Sequence, residues 1–391
     1  MRKKIEDICA RPESPVDTSV TPLATPLYTT SVWQCESTGQ ADALLAGELD
    51  GYVYQRERHP NADVLSEKLA AMHEAESVVV TASGMAALST AVLSQLQHGD
   101  HVVVSNQLYG CSSRLLEQEC SRLGIAATSV DASDLESVAG AMVPETKLVV
   151  VETISNPMLR VVDIAGLSRI AKQHNALLLV DNTFASPAIC QPLKLGADLV
   201  LESLSKIVNG HSDVMLGMLA GRAELWERVS TVVSTWGLTS SAFDSWMCAR
   251  GLATLHLRLQ RAGENALQVA HFLANHPRVN GVVYPGLEDH PDHEIAKRQF
   301  DDGFGWIVTF HIDGGRTEVD RFIAQAVGMP FCPSLGEVPT TLSHPESTSH
   351  RGLTEEQRNK SGIYAGTIRL SIGLESAEKI IEMIDAGLAG D

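Results

Sequence analysis

The chain has 391 residues, 44% hydrophobic and 20% charged, a balance that excludes both a disordered chain and a membrane-embedded one. Its 48 acids against 30 Lys and Arg leave a formal charge of −18, which repels phosphate backbones and argues against nucleic acid as a partner. At this length one hydrophobic core rarely serves the whole chain, so two domains are expected.

Residues 1–57 lack sustained periodicity and carry Pro12, Pro15, Pro22, Pro26, Gly39, Gly47 and Gly51, so they read as an N-terminal arm. Thr21-Pro22-Leu23 and Thr25-Pro26-Leu27-Tyr28 give that arm apolar groups able to pack. Strands and helices then alternate from Asp63 to about Gly221, within an α/β domain placed at 58–250. The strand candidates are Ser77–Thr81, His101–Ser105, Ala126–Val130, Lys147–Glu152, Ala176–Asp181, Asp198–Glu202 and Met215–Ala220. Met85, Leu88, Val92, Leu93 and Leu96 recur at helical spacing over Ser83–Leu96. Such alternation predicts a mostly parallel seven-stranded sheet with helices on both faces. The last part, 251–391, reads as a smaller α+β domain. It has apolar runs at Gly281–Tyr284, Trp306–Ile312 and Thr367–Ile372, and a closing amphipathic helix from Ser376. One long helical stretch, Phe243–Asn275, leads into it.

The chemistry-bearing stretch is Ala176 to Met215. Two apolar runs, Ala176–Val180 and Leu199–Leu201, end on Asp181 and Glu202, and Ser203-Leu204-Ser205-Lys206 follows the second. In an open α/β sheet the ligand crevice lies beyond the carboxyl ends of the strands, so these groups meet there. Pyridoxal phosphate (PLP) fits each part. Its aldehyde needs the amine of a lysine such as Lys206, its ring nitrogen an acid such as Asp181, and its phosphate short donors such as Ser203 and Ser205. Ser83-Gly84-Met85 opens a helix directly after a strand, where amides and the helix dipole favour a phosphate. Taken singly, each has a plainer reading: Lys206 a surface lysine, Ser83 an N-cap, Tyr109 a half-buried core residue, and Arg369 half of a structural ion pair.

Together the motifs resemble the Cys/Met-metabolism PLP enzymes, the group of cystathionine γ-synthase, cystathionine γ-lyase and methionine γ-lyase. The family pattern S-x-T-K-x-x-x-G-H-S-D is matched by Ser203, Ser205, Lys206, Gly210, His211, Ser212 and Asp213, with Ser205 where Thr is usual. D-N-T-F-A-S-P is matched from Asp181 to Pro187, and S-G-M-A-A from Ser83 to Ala87. The resemblance implies the type I fold of PLP-dependent transferases. It implies Lys206 as the lysine that captures the cofactor, Asp181 as partner of the ring nitrogen, and Ser83, Gly84, Met85, Ser203 and Ser205 around the phosphate. Tyr109 would stack on the ring and give a proton to the leaving group. Asn156 of E-T-I-S-N-P would sit next to the ring hydroxyl, with Glu152 orienting its neighbours. Tyr54 and Arg56 would reach the phosphate of a neighbouring subunit, which implies a homotetramer of dimers with shared active sites. Arg369 would bind the substrate α-carboxylate with Ser334 nearby, and Arg114 a distal carboxylate. His59-Pro60-Asn61 departs from the family's N-P-T, and Pro333 from a common Glu.

The implied activity is γ-elimination or γ-replacement on sulfur-containing or γ-substituted L-amino acids. The chain is placed first with cystathionine γ-lyase and γ-synthase, on Arg114. Methionine γ-lyase, favoured by Cys111, is the alternative, and a catalytically silent PLP-binding relative is a third reading. No metal site is expected, since His211, His344 and His350 fit no ligand motif. Seven cysteines at wide, irregular spacing, without C-x-x-C, read as reduced thiols of a cytoplasmic protein. No apolar run approaches bilayer length, and MRKKIEDICARPES lacks the apolar region of a secretory signal.

Overall fold

The computed structural model describes residues 20–389, so Cys9, Pro12 and Pro15 of the expected arm lie outside the described residues. The first helix among the described residues, α1 (Thr38–Leu45), interrupts a stretch in which the sequence predicts no periodic element. Its start is local chemistry: the Ser37 hydroxyl accepts from the Gln40 amide. Helix α2 (Pro60–His73) follows, with Pro60 in its first turn and the His59 ring accepting from the Ala62 amide. The His59-Pro60-Asn61 departure is thus absorbed as a helix start. Asn61 is buried and ties the arm down, accepting from the Tyr28 amide and donating to the Pro26 carbonyl.

Seven strands form the large sheet: β1 (Ser77–Thr81), β2 (His101–Ser105), β3 (Ala126–Val130), β4 (Thr146–Glu152), β5 (Leu177–Asp181), β6 (Leu199–Glu202) and β7 (Gly217–Gly221). Their order is β1-β7-β6-β5-β4-β2-β3. Strands β2 to β6 pair in parallel, and β7 runs antiparallel to both β1 and β6. Covered on both faces, the central strands are continuous apolar runs such as Leu177–Val180 and Leu148–Val151. The chain passes from β2 outward to β3, but from β4 to β5 and β6 in the opposite direction. Loops leaving β2 and β4 therefore diverge and open a crevice at the switch point.

The expected single helix over Phe243–Asn275 is two helices, α5 (Ala242–Leu252) and α6 (Leu255–Ala274), here numbered after α3 (Gly84–Gln95) and α4 (Gly110–Arg114). No proline or polar run marks the break at Ala253–Thr254. It is tertiary in origin: Arg258 Nε donates to Thr254 Oγ1, while Nη1 and Nη2 donate to the carbonyls of Ile207, Val208 and Gly251. Helix α6 then serves two cores. Leu255, Leu259 and Ala262 pack under the large sheet, and Ala266, Val269, Ala270 and Leu273 pack against the small one.

The small sheet is antiparallel, order β10-β11-β9-β8, from β8 (Val279–Val283), β9 (Ile307–Ile312), β10 (Thr341–Ser343) and β11 (Thr367–Ser371). Strand β10 has only three residues, too short to register as a pattern in the sequence. Along β11, Ile368 and Leu370 enter the core with α7 (Ala377–Leu388), which sends Arg369 to the opposite face. Among the described residues no helix is long and apolar enough to cross a membrane.

Candidate active site

The parallel register sets three acids side by side. Glu152 on β4 pairs with Asp181 on β5, and Asp181 with Leu201 on β6, one residue before Glu202. At their carboxyl ends lies a cavity of about 300 Å³, lined among others by Ser83, Gly84, Met85, Tyr109, Asn156, Asp181, Ser203, Ser205, Lys206 and Arg369. These residues span most of the chain, and crossovers bring them together.

Asp181 is half-buried at the strand end, and its Oδ1 accepts from both the amide and the hydroxyl of Thr183, at 3.0 and 2.5 Å. That leaves Oδ2 without a protein donor. Burial pushes the carboxyl up to about 6 against the pull of the Thr183 bonds, and the Glu202 charge adds to the rise. Glu152 is held well above the carboxylate range by burial and by Asp181 beside it. Its Oε1 accepts from the Tyr109 amide at 2.6 Å, so it positions the start of the Tyr109 turn. Glu202 is turned away from the cavity and buried, receiving the Asn182 side-chain amide at 2.9 Å and facing His73 at 3.6 Å.

Lys206 Nζ donates to Ser334 Oγ at 3.1 Å. Burial lowers its pKa, Glu337 opposes that and Arg369 adds to it, so the amine sheds its charge more readily than an exposed lysine. The turn that carries it is fixed from two sides. Arg258 clasps the Ile207 and Val208 carbonyls from α6. Gly336, at φ +88°, lies so close that a Cβ there would stand 2.4 Å from the Ile207 amide nitrogen. Sequence reading missed Arg258 because an arginine on a helix ordinarily reads as a solvated one.

The phosphate-loop residues sit at the start of α3. Ser83 is in extended conformation and its hydroxyl accepts from the Ala86 amide, so it is an N-cap as well as a lining residue. The first-turn amides of Gly84 and Met85 belong to the open end of that helix. Strand β7 passes beneath on bare backbone: a Cβ on Gly217 would lie 2.3 Å from the Ser83 carbonyl oxygen and 2.6 Å from the Gly84 nitrogen. Ser205 is committed to Leu216, donating to its carbonyl and accepting its amide. Ser203 is freer: its backbone amide donates to Thr183 Oγ1 and its carbonyl accepts from the Lys206 amide, while its hydroxyl has no protein partner among the described residues. An anion cradle of amides and one free hydroxyl, an acid with a spare acceptor and a buried amine match the three polar ends of PLP, so these residues fit that cofactor.

Arg369 is buried, with Nη1 on Asn156 Oδ1 at 2.7 Å and Nη2 on the Ser334 carbonyl at 2.9 Å. Its Nε has no partner, which leaves a buried donor aimed at no protein group. No carboxylate pairs with it, so the structural ion pair foreseen as its plainer reading is absent among the described residues. Tyr109 is partly exposed, and the adjoining Cys111 and burial raise its phenol above the ordinary range.

Tyr54 and Arg56 are not brought to this cavity. Arg56 donates to the carbonyl and hydroxyl of Ser234 and lies over the Tyr54 ring at 5.3 Å. Arg114 lines a second cavity of about 540 Å³ that opens beside the first and shares Tyr109, Asn156 and Ser349 with it. Sequence reading missed Ser349 and Arg351, which line this outer space. His350, also on its wall, is brought down to about 4 by burial and by Arg369, so it stands neutral there.

The model of the Cys/Met metabolism PLP-dependent enzyme family matches residues 8–389. An L-methionine gamma-lyase of Fusobacterium nucleatum is 40% identical over 369 residues, 94% of this chain and 93% of that protein. An O-succinylhomoserine sulfhydrylase of Pseudomonas aeruginosa is 41% identical over 363 residues, 93% and 90% of the two chains. Among solved structures, cystathionine gamma synthase from Xanthomonas oryzae in complex with cystathionine superposes with a TM-score of 0.90. It is 39% identical and the match covers 95% of this chain and 94% of that one.

Proposed function

This chain belongs to the Cys/Met-metabolism PLP-dependent enzymes, and from that premise we propose that it is a γ-lyase or γ-synthase of the cystathionine type, acting on γ-substituted L-amino acids. The carrying observation is the meeting of Lys206, Asp181 and Arg369 in one cavity, three groups that an amino-acid substrate and its cofactor each require. The cofactor is pyridoxal 5′-phosphate, which supplies an aldehyde that captures amines and a ring that accepts electron density. Ser83, Gly84, Met85 and Ser203 would hold its phosphate, with Ser205 steadying the turn. Asp181 would meet the ring nitrogen, Tyr109 the ring face and Asn156 the ring hydroxyl. A cation opposite Asp181 would bring its carboxyl back down and keep it charged.

Arg369 receives the α-carboxylate through a guanidinium whose Nε is unpaired, and its anchors on Asn156 and Ser334 keep that fork still. Lys206 Nζ, low in pKa and held by Ser334, takes the α-proton and delivers a proton onward along the substrate. Tyr109, kept protonated by its raised pKa, gives its proton to the departing γ-group. Completion by water yields a 2-oxo acid and ammonia, and completion by a thiol yields the γ-replaced amino acid. Glu152 holds the Tyr109 turn and takes no part in proton transfer.

Residues 58–250 serve as the cofactor-binding domain, 251–391 as the smaller domain and 1–57 as an arm to another subunit. We place the enzyme in the cytoplasm as a homotetramer of dimers. Support comes from the displacement of Tyr54 and Arg56 from their own cavity and from the exposure of Val20, Leu23, Leu27, Tyr28 and Val32 on the arm. Cys111 beside Tyr109 favours a second reading, a methionine γ-lyase. An Arg114→Ala variant separates the two. Selective loss on dicarboxylic substrates supports the cystathionine type, and no selectivity supports the other.

Borohydride reduction of the PLP-loaded enzyme, followed by peptide mass spectrometry, tests the premise. The expected result is a pyridoxyl adduct on Lys206 that the Lys206→Ala variant lacks, together with keto-acid and ammonia release from a panel of sulfur amino acids. A protein that takes up no cofactor, or is labelled at another lysine, removes this reading.

A further inference from the structure

Lys206 and Arg369, the groups that meet the substrate's α-proton and α-carboxylate in the reading above, stand on different sheets. Lys206 follows β6 of the large sheet, and Arg369 lies on β11 of the small one. The substrate's α-carbon must lie between them, with its carboxylate on Arg369 and its proton within reach of Lys206 Nζ. Misplacing reacting groups by about 1 Å costs on the order of 10²-fold in rate, so the separation of these two side chains is itself part of the site.

Helix α6 runs between the two positions and is fastened at both. Arg258 is buried and donates to the carbonyls of Ile207 and Val208, which directly follow Lys206. Asn265 is fully buried, and its side-chain amide donates to the Gly373 and Glu375 carbonyls at 2.9 and 2.8 Å, in the turn that leaves β11. The step from position 258 to 265 is close to two helical turns, so both side chains project from one face with about 10 Å of helix between them.

Packing alone asks for neither residue. Around them on α6, Leu255, Leu259, Ala262, Ala266 and Val269 fill the two cores. The Arg258 guanidinium rests on three carbonyls and one hydroxyl, all neutral, so its burial costs stability without the return of an ion pair. What it supplies is geometry. Gly210, at φ +78°, lies so close that any side chain there would meet the guanidinium, and α6 therefore seats directly on the Lys206 turn. A second path closes the frame. Gly336 abuts the Ile207 amide nitrogen, and its own amide donates to Ser371 Oγ at 2.9 Å, just past Arg369 on β11. Lys206 and Arg369 are thus opposite corners of a ring of contacts in which α6 is the helical side.

We propose that Arg258 and Asn265 are positioning residues that, with the length of α6 between them, set the distance from Lys206 to Arg369. Neither lines the cavity, so each acts through another residue. The proposal rests on the roles of Lys206 and Arg369 in the reaction read above and deepens them by naming what holds the two apart.

The test uses the PLP-loaded enzyme and L-norleucine, which has no γ-group to lose, so exchange of its α-proton with deuterated water reports proton removal alone. Wild type is compared with Arg258→Lys, Asn265→Ala, the double variant, and Val269→Ala, a core substitution on the same helix that leaves both anchors in place. Exchange followed by NMR is expected to fall about 10–100-fold in each single anchor variant, the scale of a misplacement of up to about 1 Å. Norleucine affinity by calorimetry and borohydride labelling of Lys206 should stay near wild type. The double variant should lose little more than the worse single one, because a spacer fails once at either end. Val269→Ala should lower Tm and leave the exchange rate unchanged. Amide hydrogen exchange, which needs no turnover, should show Asn265→Ala loosening residues 203–210 as well as the turn it contacts. Wild-type rates in both single variants overturn the proposal, as does a loss confined to one of them. Undisturbed protection of 203–210, or a rate loss that Val269→Ala reproduces, overturns it too. A wild-type enzyme that neither labels at Lys206 nor exchanges norleucine removes the reaction itself, which no anchor variant can do.

Discussion

The inner and outer cavities are built from different materials. The inner one is walled by strand ends and by groups already tied to the protein: Asp181 to Thr183, Lys206 to Ser334, and Arg369 to Asn156. The outer one is walled by a five-residue helix and a turn, and its two arginines have no such ties. A parallel ladder fixes the ends of β4, β5 and β6 relative to one another, so the residues there hold their geometry without help from a ligand. Charges on a short helix and a turn have no such template and gain their geometry from the ligand itself. The contrast teaches where a shared reaction and a particular substrate part company: chemistry sits on the sheet, discrimination on the loops beside it.

If that division holds, inner substitutions must penalise every substrate alike. Tyr109→Phe should have the largest effect, lowering kcat about 10²–10⁴-fold as expected for loss of a general acid, and steady-state kinetics on two unrelated leaving groups checks it. Next, Arg369→Lys should raise KM about 10-fold for all substrates, because the charge remains but the fork does not. An effect confined to dicarboxylic substrates would break the comparison.

Gly217→Ala probes the scaffold beneath the inner site. Its Cβ would meet the Ser83–Gly84 backbone, so chemical denaturation should show a loss of about 1–3 kcal/mol, with weaker retention of PLP. The smallest effect concerns pH. In the cofactor-free protein the Asp181 pKa is raised from the ordinary 3.8 to about 6, so between those values the folded state binds more protons than the unfolded one. Stability should therefore fall as pH rises through that window. Glu152, raised in the same direction, extends the slope upward. Asp181→Asn should flatten the lower part of the slope in thermal melts at a series of pH values, and PLP should flatten it in the wild type.

Much of the inner site was legible because its residues end predictable strands. The runs Ala176–Val180 and Leu199–Leu201 announce buried strands, and the polar residues after them must lie at the sheet edge. Strands β1 to β7 lie where apolar runs place them, within two residues at each end. The helix over Phe243–Asn275 was read as continuous because periodicity registers which face is apolar, not which side chain beyond the helix needs a carbonyl. The break at Ala253–Thr254 belongs to Arg258, which ties Gly251 and Thr254 to two carbonyls about fifty residues earlier. The same limit hid β10, whose pairing partner β11 is distant in sequence, and Arg351, which looks like any exposed arginine until its neighbour across the cavity is known.

The sequence by itself determined the alternating α/β order, the acids and hydroxyls at the strand ends, and the lysine that follows them, because hydrophobic period and chain order are local properties. Only the tertiary structure decided that Arg369 leaves Nε free above Asn156, that Ser83 and Ser205 spend their hydroxyls on the backbone, and that Tyr54 and Arg56 stand clear of their own cavity. Those are questions of which groups satisfy one another across long stretches of chain. A polar atom is free for a ligand only when folding has supplied it no other partner.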